Sequence, residues 1–133
     1  MSKTNGNGHC RRVAILDSDF AYAHALYQRI FESWRVESAP FLDLKGFYAW
    51  LKREDKTPVD LFVIDVRIYK GTDAAILKQA RALVVRIRTS GYRGPILVTG
   101  ERFSLEQLRR VNNRAVPGSK RFVPPHIIKA LKF

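Results

Sequence analysis

The chain has 133 residues, of which 46% are hydrophobic and 27% charged, a length and balance that suit one compact domain and leave little room for a second. Its apolar runs, such as Val13 to Leu16 and Leu61 to Ile64, fall far short of the ~20 residues needed to cross a bilayer. The polar start lacks the apolar core of a secretion signal, so a cytoplasmic location is expected. A lone Cys10 and three scattered histidines, His9, His24 and His126, give neither an internal disulfide nor zinc-ligand spacing. The formal charge of +12 is unevenly placed: residues 1–65 carry nine Lys/Arg and nine Asp/Glu, whereas residues 66–133 carry fifteen Lys/Arg against three acids. That asymmetry favours an anionic partner for the C-terminal half, against the plainer reading of a solvated basic surface.

Residues 1–10 are small and polar and read as a loose tail, so the domain runs from Arg11 to Phe133. Val13 to Leu16 has the uninterrupted apolar character of a strand buried on both faces, and it delivers Asp17-Ser18-Asp19 to its C-terminal end. Phe20, His24, Tyr27, Phe31 and Trp34 then recur at helical spacing, with Asp19 placed to cap the first turn. His24, on that apolar stripe, reads as a hydrogen-bonded core histidine. The pattern repeats with a short strand at Val36 to Ala39 before Pro40, and a helix whose apolar side is Leu44, Phe47, Tyr48 and Leu51. Val59 to Ile64 is the strongest strand and is again followed by an acid, Asp65. Ile76, Leu77, Ala80, Leu83, Val84 and Ile87 form a long amphipathic helix closed by Ser90-Gly91. Pro95 to Thr99-Gly100 is a fourth strand, and Ser104 caps a helix over Leu105 to Val111.

The last stretch is broken by Asn112-Asn113 and Pro117-Gly118. Arg121 to Val123 is expected as a fifth strand, and Pro125 to Leu131 as a final helix with proline near its start. Strands alternating with helices at these spacings predict a parallel sheet covered on both faces by right-handed crossovers. Ligands of such sheets sit beyond the carboxyl ends of the strands, which is where Asp17, Asp65 and Thr99 fall.

Two carboxylates gathered at one rim repel unless a cation lies between them. A hard divalent ion such as Mg²⁺ suits them, because it takes oxygen ligands and keeps waters that a phosphoryl group can replace. An attacking Asp65, a hydroxyl at Thr99 and the unhindered amide of Gly100 then suit phosphoryl transfer. No Ser-His-Asp or Cys-His arrangement is present, and an enzyme is not expected.

The order Leu16-Asp17-Ser18-Asp19, Asp60 to Asp65 and Pro95 to Glu101 resembles the receiver domains of two-component response regulators, over roughly Arg11 to Phe133. The resemblance implies a flavodoxin-like, doubly wound α/β fold with five parallel strands in the order 2-1-3-4-5. It implies that Asp65 is the phospho-acceptor and Thr99 the switch hydroxyl. Mg²⁺ would be held by a set drawn from Asp17, Asp19, Asp65 and Arg67, and the phosphoryl group would meet Gly100 and Lys120 or Arg121. Its donor would be a histidine kinase or phosphotransfer protein, and signalling would proceed through protein contacts. The chain departs from the family at Ser18, where a second acid is usual, so weaker Mg²⁺ binding is expected. The family's Lys-Pro pair reads as Pro124-Pro125, as Arg121 in a gapless alignment, or as the nearby Lys120. Phe122 stands at the aromatic switch position, and the span from Asp65 to Thr99 is long enough to predict a distorted third helix. The basic cluster of Arg102, Arg109, Arg110, Arg114, Lys120, Arg121, Lys129 and Lys132 suits an acidic protein partner at the C-terminal face. These departures also admit an interaction module that works without phosphorylation. A nucleic-acid-binding domain is the remaining alternative, though no recognition motif supports it.

Overall fold

The computed structural model describes residues 11–41 and 43–132; the expected tail at 1–10 lies outside them. Five strands, β1 (Arg11–Leu16), β2 (Val36–Phe41), β3 (Leu61–Asp65), β4 (Ile96–Gly100) and β5 (Ala115–Pro117), form one sheet in the order β2-β1-β3-β4-β5. Every pairing is parallel. Five helices connect or follow them: α1 (Phe20–Ser33), α2 (Leu44–Leu51), α3 (Asp73–Thr89), α4 (Leu105–Arg109) and α5 (Val123–Leu131). This is the doubly wound flavodoxin-like architecture that the family resemblance implies, and the parallel sheet covered on both faces is what the strand and helix spacing predicts.

The central strands are apolar without interruption because both of their faces are covered, and the strand period of two sends alternate residues to opposite sides. Ala14, Leu16, Phe62, Ile64, Ile96 and Val98 enter one core, with Phe47 and Leu51 of α2, the apolar stripe of α3 and Leu108 of α4. Val13, Ile15, Leu61, Val63 and Leu97 enter the other, with Tyr27 and Ile30 of α1 and Val123, Ile127 and Leu131 of α5. Each edge strand contains a proline, Pro40 in β2 and Pro117 in β5. A residue without an N–H is tolerated there because one side of the strand has no ladder to complete.

Local signals place most helix starts. Asp19 accepts from Tyr22 N–H at 3.3 Å, Asp43 from Gly46 N–H at 2.7 Å and Thr72 from Ala75 N–H at 3.2 Å. Ser104 and Gln107 form a reciprocal capping box. Gly91, just past α3, takes a φ of +105° that disfavours side chains with a Cβ.

Three expectations are corrected. The fifth strand is Ala115–Pro117, and residues 120–122 form a 3-10 turn leading into α5. The short Ala-Val-Pro segment pairs with β4 through Val98–Ala115, Thr99–Val116 and Gly100–Pro117, a non-local contact that residue preferences do not reveal. Prolines 124 and 125 lie inside the first turn of α5, where their missing N–H groups need no partner. The third helix is a continuous α-helix of 17 residues; the chain between β3 and α3 is taken up by a 3-10 turn at Val66–Ile68 and a loop.

Phe62 lies on β3 at the centre of an aromatic group, with ring centroids 6.0 Å from Phe47, 6.2 Å from Trp50 and 4.7 Å from Tyr92. Phe62→Ala should lower unfolding free energy by about 3–5 kcal/mol, the usual range for emptying a fully buried phenylalanine site, as read by urea denaturation. A loss below about 1 kcal/mol would mean that this core collapses around the gap.

Candidate functional site

The C-terminal ends of β1, β3 and β4 deliver Asp17, Asp65 and Thr99 to one rim. Leu16 pairs with Ile64 and Asp65 with Thr99, so the three side chains come from successive positions across neighbouring strands. All three are buried, at 5%, 3% and 2% exposure. Carboxylates are rarely found so deep without a partner.

The partner is Lys120. Its Nζ lies 2.8 Å from Asp17 Oδ2, donates to Asp17 Oδ1 at 3.0 Å, and lies 3.3 Å from Asp65 Oδ2. Main-chain donors complete the set: Asp19 N–H donates to Asp17 Oδ1 at 2.8 Å, and Arg67 N–H to Asp65 Oδ1 at 2.9 Å. Burial raises the Asp65 carboxyl above the ordinary aspartate range; the Arg67 N–H opposes that, the Asp17 charge adds to it, and the Lys120 ammonium opposes it again. For Lys120 burial works against the charge, but the bonds and charges of Asp17 and Asp65 outweigh it and the ammonium is held above its usual value. Beneath the pair, Tyr27 is buried and its phenol is pushed up, first by burial and then by the two carboxylates.

The structure separates the residues that the sequence left as alternatives. Ser119 accepts from Arg121 N–H at 3.3 Å and starts the 3-10 turn of residues 120–122. That turn points Lys120 into the acid pocket and leaves Arg121 exposed. Phe122 is 61% exposed. Asp19 is also exposed, its carboxylate engaged as the cap of α1. Ser18, exposed, borders a cavity of about 180 Å³ with Asp17, Phe41 and Ile68. Arg67 contributes its N–H to Asp65, while its guanidinium lies 3.5 Å from Glu101. Gly100 sits where a Cβ would come within 2.8 Å of Val66 and 3.0 Å of Phe103. Its bare α-carbon therefore permits tight packing behind the rim.

Three members of the basic cluster predicted for the C-terminal face have acidic partners within the chain. Lys120 is inside the pocket, Arg102 pairs with Asp73 at 2.7 Å and Arg110 with Glu106 at 3.5 Å. Tyr22 and Tyr27 were not singled out as site residues by the sequence. Tyr22, on the first turn of α1, places its ring centroid 5.7 Å from the Lys120 ammonium. The only sequence signal for either tyrosine is its position on α1 relative to the Asp19 cap. His24 does behave as expected, within 3.3 Å of Ser38 Oγ and against the Phe31 ring at 5.5 Å.

One atom at the rim lacks a partner. Thr99 Oγ1 is buried and makes no hydrogen bond among the described residues, although Thr99 pairs directly with Asp65 across the ladder. A buried hydroxyl left in this state costs stability. The donor set also suits a hard divalent cation, since Mg²⁺ is commonly held by one or two carboxylates with waters completing its shell. Among the described residues no group of three or more acid, histidine or cysteine side chains is gathered as a metal cage.

Removing Lys120 should expose the repulsion it masks. Lys120→Met is expected to lose about 3–5 kcal/mol at pH 7.5, the range for breaking a buried ion pair from one side. In that variant the Asp65 carboxyl, raised by burial and by the Asp17 charge, loses the ammonium that opposes the rise, so stability returns as the pH falls and a proton replaces the missing ammonium. The gap to the parent should therefore narrow near pH 4.5 in urea titrations. A gap equal at both pH values would assign the loss to packing of the lysine stem.

No family model matches the chain, and no curated protein sequence does. Solved structures do match. The receiver domain of Francisella response regulator 1452 superposes with a TM-score of 0.57 at 18% identity, covering 92% of this chain and 97% of the other. A CheY-like response regulator receiver domain protein from Methanospirillum hungatei gives 0.58 at 18% identity, with 92% and 94% covered. A response regulator from Thermotoga maritima gives 0.63 at 12% identity, with 94% and 100% covered. At these identities the likeness is one of fold: the chain has the architecture of the response regulator receiver domains, over nearly its whole length.

Proposed function

We propose that the protein is a signal receiver in which Asp65 accepts a phosphoryl group from a histidine kinase or phosphotransfer protein. The observation that carries this reading is the unpartnered hydroxyl of Thr99 beside a carboxylate whose countercharge is already in place. An Asp65 oxygen attacks the phosphorus of the donor with a lone pair, the bond from phosphorus to the leaving group breaks, and its electrons depart with that group. The Arg67 N–H holds Asp65 Oδ1 and so fixes the plane of the carboxylate. Thr99 donates to one phosphoryl oxygen, and the Lys120 ammonium, shared at rest between the two aspartates, pairs with another. Asp17 keeps Lys120 in position throughout. Mg²⁺, held by Asp17 and Asp65, would neutralise charge on the transferring group. The two aspartates already share Lys120, and Ser18 supplies no second acid, so its binding should be weak.

Phosphorylation then favours the arrangement in which Thr99 is drawn toward Asp65, and a population shift of this kind is the signal. A second reading rests on the same pocket. Every Asp17 and Asp65 oxygen has a partner within the chain, which also suits an interaction module that never takes phosphate.

Acetyl phosphate with Mg²⁺ decides between them. The parent should gain one labile phosphoryl mass by intact-protein mass spectrometry, and Asp65→Asn should gain none. That variant keeps the shape of the side chain and removes a charge the fold holds at a cost, so it should be at least as stable as the parent. No gain in the parent, together with no tryptophan fluorescence response to beryllofluoride, would establish the second reading. Thr99→Val should be neutral or stabilising by up to about 1–3 kcal/mol in urea, because it deletes an unsatisfied hydroxyl, yet it should blunt the fluorescence response to phosphorylation. A destabilised Thr99→Val would mean that the hydroxyl has a partner at rest.

A further inference from the structure

The opposite end of the sheet carries a feature that the receiver reading does not use. The amino ends of β4 and β5 and the C-terminal ends of α3 and α5 enclose an open groove of about 370 Å³. Arg88, Arg93, Arg114 and Lys132 line it together with the amides Asn112 and Asn113, and no acidic side chain is among its lining residues. All four cations are exposed. The groove is built: Arg88 donates to the carbonyls of Tyr92 and Gly94, which sets its guanidinium against the turn that leads to β4, and the Asn112 amide donates to Ile96 O. The cationic surface also extends along α3. Arg81 lies seven residues before Arg88, two helical turns or ~10 Å away on the same face, and donates to Arg110 O at 3.3 Å.

We propose that this groove and the adjoining face of α3 bind the phosphate backbone of a nucleic acid without reading its sequence. The three acids of residues 66–133 each sit within 3.5 Å of an arginine outside the groove, Arg67, Arg102 or Arg110. Among the described residues of that half, the groove's own cations therefore have no side-chain carboxylate set against them. Three of its four cations are arginines, whose planar forks match phosphate oxygens in pairs. An acidic protein would share the charge complementarity. Its docking surface, however, would be expected to present an exposed apolar anchor, and the exposed large apolar side chains among the described residues, Tyr22, Val85 and Phe122, all lie outside the groove. Regularly spaced backbone phosphates need only the cations. The groove is at the far end of the strands from Asp65, so this inference stands or falls separately from the proposed phosphorylation.

Fluorescence anisotropy of the full chain with labelled single-stranded RNA, single-stranded DNA and duplex DNA tests it over a range of salt. Binding should be insensitive to base sequence and weaken steeply with salt. The triple variant Arg93→Ala, Arg114→Ala, Lys132→Ala should bind at least about tenfold more weakly near 100 mM salt, with the log–log salt slope reduced by roughly two to three. A control that removes the same charge elsewhere, Arg29→Ala, Lys45→Ala, Lys52→Ala, should change affinity far less; thermal melts establish that both variants fold. No binding near 50 mM salt overturns the proposal, as does an equal loss in both triple variants. Poly-glutamate competing as well as nucleic acid would reassign the groove to an acidic protein. Saturable binding of inorganic tripolyphosphate with none of nucleic acid would reassign it to a small anion.

Discussion

Two carboxylates buried on adjacent strand ends repel each other where water cannot screen them, and the domain depends on one ammonium group set between them. Lys120 meets both oxygens of Asp17 and one of Asp65. A buried ion pair of this kind adds little net stability compared with apolar packing, because desolvation offsets most of the attraction. Its effect is to make the rim tolerable: the Lys120 ammonium opposes the rise that burial imposes on the Asp65 carboxyl. Lys120 also ties the turn after β5 to the end of β1, 103 residues earlier in the chain. The position of α5 and the chemistry of the rim are thus coupled through one side chain.

That coupling gives the fold a physical route from chemistry to shape. A phosphoryl group on Asp65 would compete with Asp17 for the same ammonium and would offer Thr99 the acceptor it lacks. Both changes act on the ends of β4 and β5, the latter a three-residue edge strand with few ladder bonds to resist movement. The opposite end of the sheet is braced differently, with Arg88 and Asn112 bonded to main-chain carbonyls. Stored electrostatic imbalance lies at the carboxyl rim, and a preorganised cationic surface lies at the amino rim.

Much of the fold was legible because the central strands obey a simple rule. A strand covered on both faces must be apolar throughout, and Val13–Leu16, Leu61–Ile64 and Ile96–Val98 are. Helix starts were legible where capping chemistry is local, as at Asp19 and Ser104. The fifth strand was not. Ala115–Pro117 carries no pattern longer than three residues and exists because β4 presents an open ladder, while the more strand-like Arg121-Phe-Val was absorbed into a turn and a helix by Ser119 and the two prolines that follow. Asp17, Asp65 and Thr99 were legible as rim residues because each ends an apolar run.

By itself the sequence determined the alternation of strand and helix, the burial of both sheet faces, the placing of two acids and a hydroxyl at one rim, and the confinement of excess charge to the second half. These follow from residue chemistry within a few positions along the chain. Tertiary structure alone decided that Lys120 rather than Arg121 neutralises the acids, that Thr99 is left without a partner among the described residues, and that four cations from separate elements line a common groove. Each of these depends on distances between residues far apart in the chain, and those distances are set only when the sheet closes and the turn before α5 adopts its particular rotation.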